Sequence, residues 1–346
     1  MLVLTLSERG AFHEAVEKMG IETHFYVLPR KPSWKYFLRH SRNLVRFCRQ
    51  HRIDAVWSHL QDANFAALLA QPFIKARVTV FRHHAESAFY AEYGKQFNMQ
   101  RSKNEERFDK LTNKLAKRIV IPSSGVWHCM EKYEGCDMRK VKLVPYIYDF
   151  TTYQQPDPAK VKALRNQYAC NLLLIMVSRM VVSKQHMPVF EVVGKLVNEG
   201  LSVKMFVMDD GPLRLQLEEF IQINKLSDHI FLTGFREDFV NYMAAADLLM
   251  HPSVTEASSN VVKEMGLLKK GVAVCEHVGD FDDYIKDRVN GYILKPSTLK
   301  DSIERVVRDA YSRKEALDTM GANLNLAVFQ LFSDIPENRG RFLKLI

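Results

Sequence analysis

The sequence predicts an α/β protein with two doubly wound domains, each a parallel sheet covered by helices on both faces. Two observations carry this prediction. The 346 residues exceed one comfortable hydrophobic core, and short apolar runs alternate with amphipathic stretches of helical length along most of the chain. Continuous apolar strands separated by helices are typical of parallel sheets. We therefore expect two Rossmann-like domains facing a cleft, with ligands at the carboxyl ends of the strands.

The alternation is clearest in the second half, where six strands are predicted: Leu172–Ser178, Val203–Met208, Ile230–Thr233, Leu248–His251, Val272–Cys275 and Tyr292–Leu294. A helix over 184–199 is expected to follow the first of them. The first half predicts six more strands: Leu2–Leu6, Thr23–Leu28, Ala55–Ser58, Val78–Phe81, Ile119–Ile121 and Lys142–Val144. The expected division is a domain over 1–150, a polar linker over 151–170, a domain over 171–330, and a segment over 331–346 that packs back on the first domain.

Composition excludes several classes of protein. With 47% hydrophobic and 26% charged residues and only 15 glycines, the chain is neither disordered nor collagen-like, and its longest apolar runs are too short to cross a bilayer. The N-terminus lacks the basic region of a secretory signal, so a cytoplasmic chain is expected. The five cysteines include no C-x-x-C pair and are interpreted as free thiols. The spacing of His128, Cys129 and Cys136 is not that of a standard chelating site, so no metal is expected.

Positive charge is concentrated in the first half. Residues 1–150 contain 25 Lys and Arg against 15 Asp and Glu, whereas the remainder contains 24 against 25. Five basic residues follow steps of four and three that place them on one face of a helix: Lys35, Arg39, Arg42, Arg46 and Arg49. This basic stripe fits a solvated surface, or a surface held to anionic lipid headgroups at about 1 kcal/mol per cation. Nucleic acid is a third interpretation, which the lack of a recognisable binding motif disfavours.

Two loops at expected strand ends in the second half suit an anion. Arg179 and Lys184 follow the first strand, and their side chains suit phosphate oxygens as a planar fork and a mobile point charge. Small polar residues of the type that cap a helix follow the fourth strand: Ser258, Ser259 and Asn260. Backbone N–H groups of Asn260 and Val261 would then face an anion. The alternative is that these are ordinary exposed charges and ordinary caps.

Glu256 and Glu264 raise the alternative of a glycosidase, which uses two carboxylates around one sugar. Eight residues of mostly helical rise, at ~1.5 Å each, separate them by roughly 10 Å along a single element rather than across a bond. Separate roles for the two acids are therefore favoured.

Taken together, these motifs resemble the donor domain of retaining glycosyltransferases of family 4, which have two Rossmann-like domains in the GT-B arrangement. The resemblance runs from about residue 172 to 296 and rests on these marks in order: Ser178-Arg179 with Lys184, Asp210-Gly-Pro-Leu-Arg214, Phe231-Leu-Thr-Gly-Phe235, Ala246-Asp247 leading to His251-Pro-Ser253, Glu256-x7-Glu264, and Asn290-Gly291.

The resemblance implies a role for each of these positions. Arg179 and Lys184 would hold the diphosphate of a nucleotide-sugar donor, and Glu264 would accept from the ribose hydroxyls. Glu256 would act beside the donor sugar. Three residues would flank the base: Gly234, Phe235 and Arg236. Fixed cations and helix N–H groups can stabilise a leaving diphosphate without a metal, so neither a metal nor another cofactor is expected.

The first half resembles the family less strongly. Its strand-end candidates are His84 as a catalytic residue beside the transferred sugar, and three residues on the acceptor side: His83, His59 and Ser123. The sequence departs from the family pattern in four places. The usual first strand with its glycine-rich loop is missing, Tyr146-Ile147 replaces Asn-Gly, Lys269-Lys270-Gly271 stands for Gly-x-Pro, and Ala257 replaces a glycine.

The leading hypothesis is a cytoplasmic, membrane-peripheral enzyme that moves a sugar from a nucleoside diphosphate donor to a glycan or lipid-linked acceptor, with retention of configuration. Cell-surface polysaccharide or lipopolysaccharide synthesis is the expected setting. The alternative is a non-catalytic member of the same fold that binds a sugar nucleotide or recruits a partner, which the missing glycine-rich loop favours.

Overall fold

The structure is a computed structural model that describes residues 1–29 and 34–343. Its strands are β1 (Leu2–Thr5), β2 (Glu22–Phe25), β3 (Ala55–His59), β4 (Arg77–Phe81), β5 (Ile119–Ile121), β6 (Val141–Leu143), β7 (Leu172–Val177), β8 (Val203–Met208), β9 (Ile230–Gly234), β10 (Leu248–His251), β11 (Gly271–Cys275) and β12 (Tyr292–Leu294). Each coincides with a predicted strand to within a few residues at its ends.

Helices cover the sheets and connect the strands. They are α1 (Ala11–Lys18), α2 (Trp34–Gln50), α3 (Gln61–Ala70), α4 (Ser87–Tyr93), α5 (Lys103–Leu115), α6 (Ser124–Lys132), α7 (Pro158–Gln167), α8 (His186–Asn198), α9 (Arg214–Ile223), α10 (Phe239–Ala245), α11 (Asn260–Leu267), α12 (Phe281–Tyr284), α13 (Leu299–Ser312), α14 (Lys314–Phe332) and α15 (Pro336–Leu343).

The strands form three parallel sheets, which confirms the predicted α/β class. One sheet has the order β12-β11-β10-β7-β8-β9, the second β3-β4-β5-β6, and the third pairs β1 with β2. In the largest sheet the chain leaves β7 toward β8 and β9, then crosses over to β10 on the other side of β7. Such a reversal opens a crevice at the carboxyl ends of the two central strands. The loops after β7 and β10 lie at this crevice.

The largest core belongs to the six-stranded sheet. Residues 172–175 of β7 are fully buried, as are the central residues of β8, β10 and β11. A continuous apolar strand fits this position because helices cover both faces, and each fully buried leucine or isoleucine contributes about 1.5–3 kcal/mol. By contrast, the residues of β1 and β2 are mostly only partly buried.

The helix after β7 begins later than the sequence predicts. It starts at His186 rather than at residue 184, because Val182–Lys184 forms a separate 3-10 turn and Gln185 takes the left-handed conformation, at φ +56°. The loop after β7 is therefore longer and leaves Lys184 outside the helix.

The two halves of the chain meet closely at the start of α6. The Ser124 backbone N–H donates to the Asp283 carboxylate at 3.1 Å, and the Gly125 N–H donates to the Gly279 carbonyl at 2.8 Å. A Cβ added to Gly125 would lie 2.5 Å from that carbonyl oxygen, so this approach requires glycine.

The C-terminal segment contacts the end of the first predicted domain. Tyr148 pairs with Ser333, its backbone N–H donates to Phe332 at 2.8 Å, and its carbonyl accepts from Asp334 at 3.1 Å. The domain boundaries themselves stay a prediction.

Candidate functional site

The loop after β7 carries both residues predicted to bind the diphosphate, but their side chains differ in exposure and in pairing. Arg179 is exposed, and its guanidinium has no hydrogen bond or ion pair with the described residues. Lys184 is largely buried and forms an ion pair with Glu256. The neighbouring loop, after β8, packs tightly beside this one, because a Cβ on Gly211 would lie 2.6 Å from the Met180 carbonyl oxygen.

The loop after β10 brings Glu256 into the crevice. The Val254 N–H donates to the Ser183 carbonyl at 3.0 Å and joins this loop to the one after β7. The Glu256 carboxylate contacts Lys184 and lies 2.8 Å from the Nε2 of the buried His251. The structure therefore brings two sequence-predicted residues, Lys184 and Glu256, into direct contact.

Glu256 is held in its charged form. Burial raises the pKa of this carboxyl, but the hydrogen bond and positive charge of His251 and the ammonium of Lys184 outweigh it and lower the pKa to about 2. A carboxylate this strongly paired stays ionised across the physiological range and is poorly suited to donate a proton. Glu256 therefore suits a role in orienting groups or stabilising charge.

The start of α11 differs from the capping predicted for Ser258 and Ser259. Ser259 occupies the N-cap position but makes no capping hydrogen bond through its side chain. Ser258 instead donates to the Asp280 carboxylate at 2.5 Å. Asn260 is the first helical residue and is exposed, followed by the half-buried Val261. The first backbone N–H groups of a helix have no partner within it, so they can face an anion here.

A fully buried lysine stands behind the start of α11. Lys263 Nζ lies 2.8 Å from Asp280 Oδ2, 2.8 Å from the Ser258 hydroxyl and 3.1 Å from the Ser259 carbonyl. Its ammonium also lies 4.3 Å from the centre of the Phe332 ring. Sequence reasoning missed both Lys263 and Asp280. Lys263 lies between the two glutamates of the E-x7-E motif, and a charged residue on the buried face of this helix was the signal that could have identified it.

Glu264 lines a cavity of about 390 Å³ between α10, α11, α14 and the linker. Burial raises the pKa of its carboxyl, partly offset by Lys263. Apolar and aromatic side chains make up much of the wall, including Tyr153, Phe239 and Phe329. The carboxylate has no side-chain partner among the described residues and is free to accept from a ligand.

The three predicted base-flanking residues follow β9. Gly234 takes a left-handed conformation, at φ +68°, which turns the chain out of the strand. Phe235 is 80% exposed, so its ring is open to stack on a planar ligand. Arg236 pairs with Asp238 at 2.8 Å and lies 4.8 Å over the Tyr242 ring. None of the three lines the cavity that contains Glu264.

Of the residues predicted to lie on the acceptor side, the structure brings His59 and His83 together. Their Nδ1 and Nε2 atoms are 2.8 Å apart, and the other ring nitrogen of His83 lies 2.5 Å from the Tyr146 hydroxyl. His84 is exposed and, with His83, lines a cavity of about 260 Å³. Ser123 is fully buried, and its hydroxyl accepts from the Val126 N–H as the N-cap of α6. This is a structural position rather than one open to a ligand.

The floor of that second cavity is a buried cluster of charges. Arg82 lies 3.1 Å from Glu134 and 3.3 Å from Asp109, and Arg101 also contacts Asp109. Asn113 bonds both Arg82, at 2.8 Å, and Glu134, at 2.7 Å. Two cations thus face two carboxylates, and the cluster compensates its own charge.

The predicted basic stripe lies on α2. All five of its residues, Lys35, Arg39, Arg42, Arg46 and Arg49, are exposed, and the opposite face of the helix is buried through residues such as Phe37 and Phe47. Trp34, at the start of the same helix, is 56% exposed. The basic residues at positions 30 and 31 lie outside the described residues.

Two further properties concern residues 1–29 and 34–343. None of the helices there combines the length and the apolar character that crossing a membrane would require. No group of three or more His, Cys, Asp or Glu side chains in these ranges is arranged to hold a metal ion. All five cysteines are free, and all except the half-buried Cys170 are buried.

Two sequence families match the chain, one in each half. Residues 1–150 match the family described as Glycosyltransferase Family 4, and residues 164–324 match the family described as Glycosyl transferases group 1.

Individual relatives are distant. The chain is 21% identical over 269 residues to an uncharacterised glycosyltransferase of Methanocaldococcus jannaschii, covering 73% of this chain and 64% of that protein. It is 22% identical over 259 residues to the N-acetylgalactosamine-N,N'-diacetylbacillosaminyl-diphospho-undecaprenol 4-alpha-N-acetylgalactosaminyltransferase of Campylobacter jejuni, covering 72% and 65%. These matches span less than two thirds of the length of either relative.

Similarity to solved structures extends over nearly the whole chain. The crystal structure of Anabaena HepE in complex with UDP superposes with a TM-score of 0.82 at 20% identity, covering 99% of this chain and 91% of that one. The family 4 match contains the strands of the four-stranded sheet, and the group 1 match contains those of the six-stranded sheet. The chain belongs to the glycosyltransferases of the GT-B fold, with a family 4 region followed by a group 1 region.

Proposed function

We propose that this glycosyltransferase moves a sugar from a nucleoside diphosphate-sugar to a glycan or lipid-linked acceptor, with retention of configuration, in the synthesis of a cell-surface polysaccharide or lipopolysaccharide. The observation that carries the proposal is the meeting of the β7 and β10 loops. There Arg179 is exposed and has no ion-pair partner within residues 1–29 and 34–343. It lies in the same loop as Lys184, and Lys184 pairs with Glu256 shortly before the open start of α11.

The charges at this crevice suit a diphosphate leaving group. Arg179 is available to bind phosphate oxygens directly, and the Lys184 ammonium has three N–H donors, enough to bind both Glu256 and a phosphate. The N–H groups of Asn260 and Val261 would add their partial positive charge. Negative charge that develops on the diphosphate as the sugar leaves would be stabilised by groups already in place, so no metal is required in this proposal.

The remaining roles are those that the family resemblance implies. Glu264 would accept hydrogen bonds from the ribose hydroxyls, with the base beside Gly234, Phe235 and Arg236. Glu256, held ionised, would stand near the sugar carbon, where positive charge develops. His84, exposed on the other side of the cleft, would contact the transferred sugar or the acceptor. Attack on the same face of the sugar, assisted by the departing phosphate, would retain the configuration.

The relatives support the class of donor and acceptor. HepE has been crystallised with UDP and with UDP-glucose. The Campylobacter jejuni relative is named for a diphospho-undecaprenol acceptor, which is a lipid-linked sugar. UDP and UDP-glucose are therefore the first probes to use, followed by GDP- and ADP-sugars.

Calorimetric titration with UDP tests the donor site. Arg179→Ala and Lys184→Ala should each weaken binding about tenfold or more, because charge-assisted bonds to phosphate contribute roughly 1.5–3 kcal/mol. Lys195→Ala is the matched control, since Lys195 also pairs with a glutamate, at 2.8 Å, but on the surface. Unchanged affinity in both site variants would refute the assignment.

The alternative is a non-catalytic member of the fold that binds a sugar nucleotide or recruits a partner. Donor binding is common to both proposals, and only turnover separates them. Release of UDP from UDP-glucose, dependent on an added membrane or glycan fraction and lost in Glu256→Gln, supports the enzyme. Tight donor binding without turnover of any UDP-, GDP- or ADP-sugar supports the binding protein.

We further propose that α2 holds the protein at an anionic membrane surface. Its five exposed cations lie on one face, and the exposed Trp34 ring suits the interface between headgroups and acyl chains. Sedimentation with vesicles of phosphatidylglycerol should exceed that with phosphatidylcholine and fall as salt is raised. Equal binding to both lipids would contradict the proposal.

A further inference from the structure

Three side chains form a hydrogen-bonded line across the carboxyl ends of the four-stranded sheet. His59 is the last residue of β3, His83 follows β4 by two residues, and Tyr146 follows β6 by three. His59 Nδ1 lies 2.8 Å from His83 Nε2, and His83 Nδ1 lies 2.5 Å from the Tyr146 hydroxyl. The three groups therefore form one continuous line, with His83 in the middle.

Stacking fixes the rings in these positions. The His59 ring lies 4.5 Å from the Phe81 ring at an interplanar angle of 21°, and the His83 and Tyr146 rings are 5.8 Å apart at 27°. The stacking fixes the plane of each ring, and the hydrogen bonds then select which way its nitrogens face within that plane. The hydrogen bonds and the stacking thus specify one arrangement.

This arrangement removes His83 from direct contact with a ligand. An imidazole has two ring nitrogens, and both nitrogens of His83 are already engaged. The groups left with spare hydrogen-bonding capacity are at the two ends of the line: the Tyr146 hydroxyl, which can make a second bond, and the Nε2 of His59.

His83, in the middle of the line, is neutral near pH 7. Burial, together with the neighbouring His59 and His84, lowers its pKa to about 4. A neutral imidazole has one N–H and one acceptor nitrogen, so the hydrogen bonds along the line can run in only two directions. Either Tyr146 donates to His83, leaving a lone pair on the hydroxyl, or His83 donates to Tyr146, leaving the phenolic O–H free to donate outward.

The Tyr146 end of the line points toward the donor half. Burial, and to a lesser extent the charge of Asp280 in the loop after β11, raises the pKa of Tyr146. The same loop touches Glu256, since a Cβ on Gly279 would lie 3.0 Å from the Glu256 Cβ. The Tyr146 ring also meets Tyr148 edge-on at 6.4 Å, and the Tyr148 hydroxyl bonds Asn260 at the start of α11.

We propose that the Tyr146 hydroxyl binds a hydroxyl group of the sugar carried by the nucleotide donor, and that His83 and His59 are positioning residues that aim it. This inference rests on the proposed function. It assigns to Tyr146 a specificity-determining contact at the position where the sequence departs from the family's Asn-Gly. The donor sugar is favoured over an acceptor sugar because Tyr146 contacts Tyr148, whose hydroxyl bonds Asn260 at the start of α11.

Tyr146→Phe tests this contact by comparing UDP with UDP-glucose. UDP lacks the sugar, so its dissociation constant should not change. The dissociation constant of UDP-glucose should rise about three- to tenfold, the effect of one neutral hydrogen bond. Tyr133→Phe is the matched control, because Tyr133 also bonds through its hydroxyl, to Glu92, but away from this line. Thermal unfolding of both variants checks that the fold is kept.

The positioning role of the histidines has its own readout. His59→Leu breaks the outer bond of the line and should weaken UDP-glucose binding in the same direction but less than Tyr146→Phe. The double variant should bind no worse than Tyr146→Phe alone, because both changes act through one hydroxyl. Fully additive losses would contradict a line that acts through Tyr146.

The outcomes separate this inference from the proposed function. If the wild-type protein binds UDP and UDP-glucose, and Tyr146→Phe binds both equally well, the inference is wrong and the function stands. An equal loss for UDP and UDP-glucose would also overturn it, since that result indicates a general disturbance of the site. If the wild-type protein binds neither these ligands nor the GDP and ADP pairs, the proposed function itself fails.

Discussion

The carboxyl ends of the two larger sheets differ in how their charges are arranged. At the carboxyl ends of β7 and β10, paired charges stand beside an exposed Arg179 that has no partner in the described structure. At the carboxyl ends of β3 and β4, the buried charges compensate one another below a neutral line of His59, His83 and Tyr146. The difference indicates that one side is suited to an anion and the other to uncharged hydroxyl groups.

The largest expected effect tests the buried Lys263–Asp280 ion pair at the start of α11. Lys263→Met leaves Asp280 buried without its cation and should lower the free energy of unfolding by roughly 3–5 kcal/mol. Urea denaturation measures this change. Adding Asp280→Asn removes the stranded charge and should restore a large part of the loss. A midpoint for Lys263→Met equal to that of wild type would show that the pair contributes nothing.

A smaller loss is expected for the matched change on the acceptor side. Arg82→Met also removes a buried cation, but Arg101 stays beside Asp109, and Asn113 still bonds Glu134. We expect a loss of about 2–3 kcal/mol, below that of Lys263→Met, because the remaining partners continue to compensate the carboxylates. A loss exceeding that of Lys263→Met would reverse this ranking of the two sides.

Acid should destabilise the donor side through His186. Burial, with the charges of His251 and Lys184, lowers the pKa of this histidine to about 4. The unfolded chain, with a pKa near 6.5, therefore binds more protons between these values, and stability falls as the pH drops from about 6.5 toward 4. His186→Gln should remove about 1 kcal/mol per pH unit from that slope. Unfolding at pH 7 and pH 5 measures it, with the exposed His128→Gln as control.

The smallest effect on stability is expected for the basic stripe. Arg42→Ser and Arg46→Ser change exposed residues of α2 and should shift the free energy of unfolding by no more than about 0.5 kcal/mol. The same double variant should bind phosphatidylglycerol vesicles less well at low salt. A stability loss with unchanged vesicle binding would make the stripe a structural feature instead.

The sequence predicted the strands well, because strands such as β7 and β11 are continuous apolar runs whose burial needs no knowledge of partners. It also predicted which loops would reach the crevice, since parallel strands end at one edge. It did not predict that β1 and β2 would form a sheet separate from that of β3–β6. It also did not predict that Ser258 would bond Asp280, or that the side chain of Lys263, within α11, would be buried against Asp280. Those contacts join residues far apart in the chain, and no local pattern reports which side chains will meet there.

The acceptor side shows the same limit more strongly. The sequence offered His59, His83 and Ser123 as candidates from their strand-end positions alone. Only the fold separates a buried helix cap from a member of a hydrogen-bonded line. Tyr146 was visible in the sequence as a departure from the family pattern, but its contact with His83 spans 63 residues.

The glycine contact between the halves has a mechanical consequence. At Gly125 the backbones are close enough that a single methyl group would collide with the carbonyl of Gly279. Alanine at position 125 would therefore act as a spacer one methyl group wide. This substitution would change the distance between the start of α6 and the loop after β11 without changing any residue assigned to sugar or nucleotide.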